Sequence, residues 1–162
     1  MPILHIEFNN VEVKGPDGKP VRVPAKQVLQ AHGPRLQVSV SVMPALTKEV
    51  TQQGGTVPSP MSGFALIDTG ASTTCIDTEI AEKIGAPVID KVTMSSASHP
   101  DTEANIYPVR FDILGIGLGR DVPRCMGAAL QCQGLIMLIG RDALVDCSLF
   151  YNGLTGSFTF SI

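Results

Sequence analysis

Phe64-Ala65-Leu66-Ile67-Asp68-Thr69-Gly70-Ala71-Ser72 decides how this chain is read: an apolar run ends in one carboxylate, Asp68, set into a tight Thr-Gly turn. Four consecutive apolar residues bounded by turn formers predict a short buried strand. From average residue frequencies, two aliphatics, Asp-[Ser/Thr]-Gly and Ala should coincide in a chain of this length only about once in a thousand. The combination occurs once here. Its plain structural reading is an Asx-type turn that closes a strand.

A partial echo follows about 70 residues later, where Leu135-Ile136-Met137-Leu138-Ile139-Gly140-Arg141-Asp142 again runs from an apolar strand into a glycine turn. A short helix is expected after it, over residues 143–147. Between the two, Asp77 is placed to cap a helix over residues 78–84, with Ala81 and Ile84 facing the core and Gly85 as its stop. Residues 88–111 hold two extended runs, near Val92-Thr93-Met94 and over 106–111, around the polar stretch 95–105. A hairpin reaching into solvent fits that pattern best, with an ordinary surface loop as the alternative.

Upstream of Phe64, Arg35-Leu36-Gln37-Val38-Ser39-Val40-Ser41-Val42 is the cleanest period-two alternation in the chain and predicts a half-buried strand. Residues 43–62 carry three prolines and a Gly-Gly pair without clear periodicity, and a long surface loop is expected there. Leu4-His5-Ile6-Glu7-Phe8, Val11-Glu12-Val13 and Val21-Arg22-Val23, with the turn cluster Gly15-Pro16-Asp17-Gly18-Lys19-Pro20, predict an N-terminal hairpin, followed by a short helical turn near residues 25–31.

Composition bounds the function. The chain has 162 residues, 44% hydrophobic and 17% charged, with a net charge of −3. That is enough for one folded domain, and it lacks the basic surface that nucleic acid favours. No apolar stretch approaches the roughly 18 residues of a membrane span, and Met-Pro-Ile-Leu-His-Ile-Glu-Phe lacks a basic n-region and cleavage site. A soluble, cytoplasmic protein without nucleic-acid or membrane partners is expected. Cys75, Cys125, Cys132 and Cys147 match no paired metal-site spacing, and His5, His32 and His99 are scattered, so free thiols, no metal and no cofactor are expected. Gly115-Ile116-Gly117-Leu118-Gly119 has Arg120 where a dinucleotide fingerprint needs its third glycine and no helix before Pro123, so these are read as turn or strand glycines. A Gly-x-Ser-x-Gly nucleophile motif and a local Cys protease signature are both missing.

Leu66-Ile67-Asp68-Thr69-Gly70-Ala71-Ser72 together with Leu138-Ile139-Gly140-Arg141-Asp142 resembles the retropepsin-like aspartic proteases, over residues 34–162. The resemblance implies a mainly β, single-lobe acid protease fold, barrel-like with short helices. It also implies an aspartic endopeptidase that acts on polypeptides. Because such an enzyme needs two facing carboxylates and this chain carries one motif, it implies a homodimer. Asp68 carries over as the catalytic aspartate, Thr69 as the residue whose hydroxyl braces the two turns, and Gly70 as the point of close backbone approach. Ala71 and Ser72 would line the substrate cleft. Met94, Ser95, Ser96, Ala97 and Ser98 would belong to the flap over it. Gly140, Arg141 and Asp142 would be framework, and residues 148–162 a terminal hairpin. Residues 1–33 match nothing in the minimal family pattern and stand as an added hairpin, a dimerisation arm or a pro-segment. Two departures mark the chain: Ser72 stands where retroviral members commonly carry an Asp that pairs with the arginine of the second turn, and the flap tip lacks glycine. The alternative function is a catalytically silent dimeric binding module on the same fold.

Overall fold

The computed structural model describes residues 2–96 and 99–162, without the side chains of 94–96 and 99–102. In chain order its elements are β1 (Ile3–Glu7), β2 (Val11–Lys14), β3 (Pro20–Val23), α1 (Ala25–His32), β4 (Arg35–Val42), α2 (Pro44–Gln52), β5 (Met61–Ile67) and β6 (Cys75–Asp77). There follow α3 (Thr78–Lys83), β7 (Asp90–Ser96), β8 (His99–Ile113), β9 (Leu118–Ala128), β10 (Met137–Ile139), β11 (Ser148–Asn152) and β12 (Ser157–Ser161). By contact density the chain divides into two compact units, Leu36–Ala143 and Met1–Arg35 with Leu144–Ile162.

The larger unit is a closed six-stranded barrel in the order β4, β5, β10, β6, β9, β8, with β8 returning to β4 and β7 extending beyond β8. The alternation of β4 closes it. Leu36, Val38 and Val40 are fully buried and Val42 nearly so. Val38 pairs with Ile113, Val40 with Phe111 and Val42 with Val109 across the antiparallel seam, placing apolar pairs on the inner face. Burial of each such side chain contributes about 1.5–3 kcal/mol before entropy is counted. The β8–β9 register shifts between Tyr107 and Val109, at Pro108, which has no N–H to give a ladder. Leu114 to Gly117 form the turn expected of the glycine-rich stretch.

The expected loop over 43–62 is corrected by α2. Pro44 opens this helix at its first position, where a missing N–H costs nothing, and Gly54, at φ 76°, follows its end. No residue of α2 is buried, which is why its sequence shows no strong periodicity. The helix expected over 143–147 is also corrected: a single 3-10 turn, Arg141–Ala143, takes its place. By contrast, α3 follows its cap. The Asp77 carboxylate accepts from the Glu79 and Ile80 N–H groups, Ala81 and Ile84 are fully buried, and Gly85 leaves the helix at φ 71°.

In the terminal unit, β12 is the central strand of a three-stranded antiparallel sheet between β1 and β11. Phe158 and Phe160 on its inner face are buried. The predicted hairpin forms between β2 and β3, while β1 joins the C-terminal strand. Among the described residues no helix is long and apolar enough to cross a membrane.

Candidate active site

Strand pairing carries Asp68 to the mouth of a paired loop. β5 and β10 run parallel with Leu66 beside Leu138 and Ile67 beside Ile139, and the Asp68 N–H donates to the Ile139 carbonyl at 3.0 Å. The turn then folds on its own carboxylate. Gly70 N–H donates to Asp68 Oδ1 at 2.8 Å and Ala71 N–H to the Asp68 carbonyl at 3.2 Å. A Cβ on residue 70 would stand 3.0 Å from that same Oδ1, so the close approach uses glycine's lack of a side chain. Asp68 is half-buried, Thr69 and Gly70 are exposed, and Oδ2 of Asp68 takes no hydrogen bond from the described residues. The Asx-type turn is therefore present, and it leaves one carboxylate oxygen open.

The second glycine turn grips the first. Arg141 N–H donates to the Ala71 carbonyl at 3.0 Å and Asp142 N–H to that of Ser72 at 3.3 Å. The Arg141 guanidinium donates to the carbonyls of Thr69 and Gly70 at 2.8 and 3.1 Å. With Ser72 in place of an aspartate, this arginine holds the backbone of the Asp68 turn. Gly140 is packed against the loop so tightly that a Cβ would fall 2.5 Å from the Thr73 carbonyl carbon.

Thr74, which sequence reasoning passed over, locks the arrangement. It is completely buried. Its N–H donates to both oxygens of Asp142, at 2.9 and 3.0 Å, and its hydroxyl to Oδ1 at 2.6 Å. The same hydroxyl accepts from Gly140 N–H at 3.1 Å. A buried hydroxyl that both donates and accepts costs nothing in lost hydration. Its signal in the sequence is faint: a Thr six residues after Asp68, whose partner lies 68 residues further on.

Below the loop, the thiols of Cys75 and Cys125 donate to the carbonyls of Thr73 and Thr74. Burial, then the carboxylates of Asp142 and Asp68, push the Cys75 thiol up to about 11. Burial, then Cys75 and Asp142, hold Cys125 well above its ordinary value. Both stay protonated at neutral pH, and a thiolate nucleophile beside Asp68 is excluded. Asp77 is the opposite case. Burial raises its pKa, but N–H donors from Leu130, the Gln131 side chain, Ile80 and the Gln131 backbone outweigh it, and the group ionises below the usual carboxylate range.

The structure thus brings Asp68, Thr69, Gly70, Ala71 and Ser72 together with Gly140, Arg141 and Asp142. The β7–β8 hairpin pairs Asp90 with Ile106 through Met94 with Thr102. Ala97 and Ser98 lie outside the described residues, as do the side chains of Met94, Ser95 and Ser96. Among the described residues no cluster of His, Cys, Asp or Glu could hold a metal ion.

A family model described as aspartyl protease matches residues 62–143, the stretch that holds both glycine turns. The solution structure of the simian foamy virus (mac) protease is similar at a TM-score of 0.41 and 14% identity, covering 69% of this chain and 92% of that one. No curated protein matches.

Proposed function

The chain belongs to the aspartyl protease family, and from that premise we propose that two copies of it build one peptide-hydrolysing site, each contributing Asp68. The observation that carries this reading is the Asp68 turn itself, which offers one carboxylate oxygen and occurs once in the chain. Half of a carboxylate pair calls for a second copy.

Two carboxylates about 3 Å apart share one proton, because both cannot ionise together. The ionised Asp68 takes a proton from a water bound between the pair as that water attacks the scissile carbonyl carbon. The protonated Asp68 gives its proton to the carbonyl oxygen, and a tetrahedral diol forms with no covalent bond to the protein. When the C–N bond breaks, the proton taken from water passes to the leaving amine, and the other, now ionised, Asp68 takes a proton from a diol hydroxyl, which restores the pair with its one shared proton. Gly70 N–H on Oδ1 and Arg141 on the turn's carbonyls fix the carboxylate's direction. Thr69 braces the two turns against each other. Ala71 and Ser72 line the cleft, and Met94, Ser95, Ser96, Ala97 and Ser98 serve as the flap that covers the substrate. The rate peaks at acidic pH and falls on both sides, with apparent values that belong to the pair.

Calorimetric titration with a statine-type peptide, a mimic of the diol, tests the shared site. Saturation at one inhibitor per two chains is expected. Saturation at one per chain would contradict a dyad built across two copies.

A further inference from the structure

We propose that the valine face of the β2–β3 hairpin is a docking surface for a second copy of this chain, an inference that rests on the shared-dyad reading. The hairpin pairs Val11 with Val23 and Val13 with Val21, which puts the four valines on one face and Glu12 opposite Arg22 on the other. Val11, Val13 and Val21 are 40%, 46% and 47% exposed. All of β2 and most of β3 are exposed, and a two-stranded hairpin with no covering layer is marginal in water.

A second copy is the occupant the rest of the molecule requires. Its active site is incomplete without one, and a stable interface buries about 800 Å² on each partner, far more than a turn of Asp68, Thr69, Gly70 and Ala71 presents. Further surface must be recruited. Of the thirteen large apolar side chains exposed among the described residues, eight fall in the terminal unit, which holds a third of the chain, and three of those are on this hairpin. A face of like valines can pack on its own copy, as a two-fold contact between identical chains demands.

The test is the dimer dissociation constant by sedimentation equilibrium, with cleavage followed against protein concentration, for the wild type and for Val13→Lys combined with Val21→Lys. A charge forced into an apolar contact should raise the constant at least about tenfold, with activity lost at low concentration and regained at high concentration. Val13→Thr combined with Val21→Thr keeps the strand propensity and should shift the constant in the same direction by less, which separates docking from misfolding. An unchanged constant in both variants overturns the proposal, and so does an unchanged constant accompanied by hairpin-dependent binding to phosphatidylcholine vesicles. A wild-type dimer that cleaves no peptide, yet is weakened by the lysine pair, supports the docking surface while overturning the catalytic reading. A monomer at every concentration overturns both.

Discussion

Two apolar strands of the barrel end in glycine turns that each carry an aspartate, and the two carboxylates have opposite fates. Asp142 accepts from Thr74 N–H, the Thr74 hydroxyl and Ala143 N–H, at 2.6 to 3.0 Å. Asp68 accepts from Gly70 N–H, and among the described residues nothing donates to its other oxygen. A carboxylate has about four acceptor positions, so Asp142 is occupied in holding the loops together while Asp68 retains capacity for a water and a second carboxylate. The repeated strand-and-turn pattern supplies the scaffold twice. Hydrogen-bond saturation decides which copy is structural and which is available for chemistry.

Removing the Asp68 carboxylate and removing the Thr74 hydroxyl that holds Asp142 should therefore break different properties. Asp68→Asn is expected to lower kcat by about 10³-fold or more while the melting temperature stays near wild type, because volume and the Gly70 contact are kept. Thr74→Val takes the hydroxyl donor from Asp142 and leaves the buried Gly140 N–H without its acceptor, and denaturant unfolding should show a loss of about 2 kcal/mol. If Asp68→Asn destabilised the fold as much as Thr74→Val, the division of labour would be wrong.

Arg141→Ala sharpens the comparison, since the guanidinium is the side-chain link from the second turn to the carbonyls of the first. Turn precision should suffer more than stability: kcat/KM falls about tenfold, with less than about 1 kcal/mol lost at this exposed position. Equal losses in both would make the arginine merely structural. The smallest effect concerns acid. The Asp77 carboxyl ionises more readily folded than unfolded, so its contribution is present above the unfolded value of about 3.9 and fades as pH falls through the folded one. Thermal melts should show wild type losing stability below about pH 4, and Asp77→Asn, weaker at neutral pH, losing less on acidification. Parallel pH profiles for the two would remove Asp77 from the account.

Local signals carried much of this architecture. The alternation over 35–42 marked a barrel strand, Asp77 announced its helix, and the turn cluster before Val21 marked the β2–β3 hairpin. What stayed hidden was long-range or unburied. No pattern near Thr74 points to Asp142, and nothing in Leu4-His5-Ile6 reveals that β1 pairs with β12 at the other end of the chain. α2 escaped because periodicity reports burial and no side chain of this helix is fully buried, only Leu46 and Thr47 being half-buried. Pro44 at its start and Gly54 after its end were the available signs. Asp68 itself was legible from the turn motif. Its contrast with Asp142 became visible only through the hydrogen bonds.

Cleavage of a mixed peptide library between about pH 3 and pH 7, by wild-type protein and by Asp68→Asn side by side, tests the central claim most directly. The account predicts cleavage at acidic pH that a statine-type peptide blocks and that the variant lacks. Undiminished cleavage by Asp68→Asn, or none by a folded wild-type dimer at any pH, would contradict it.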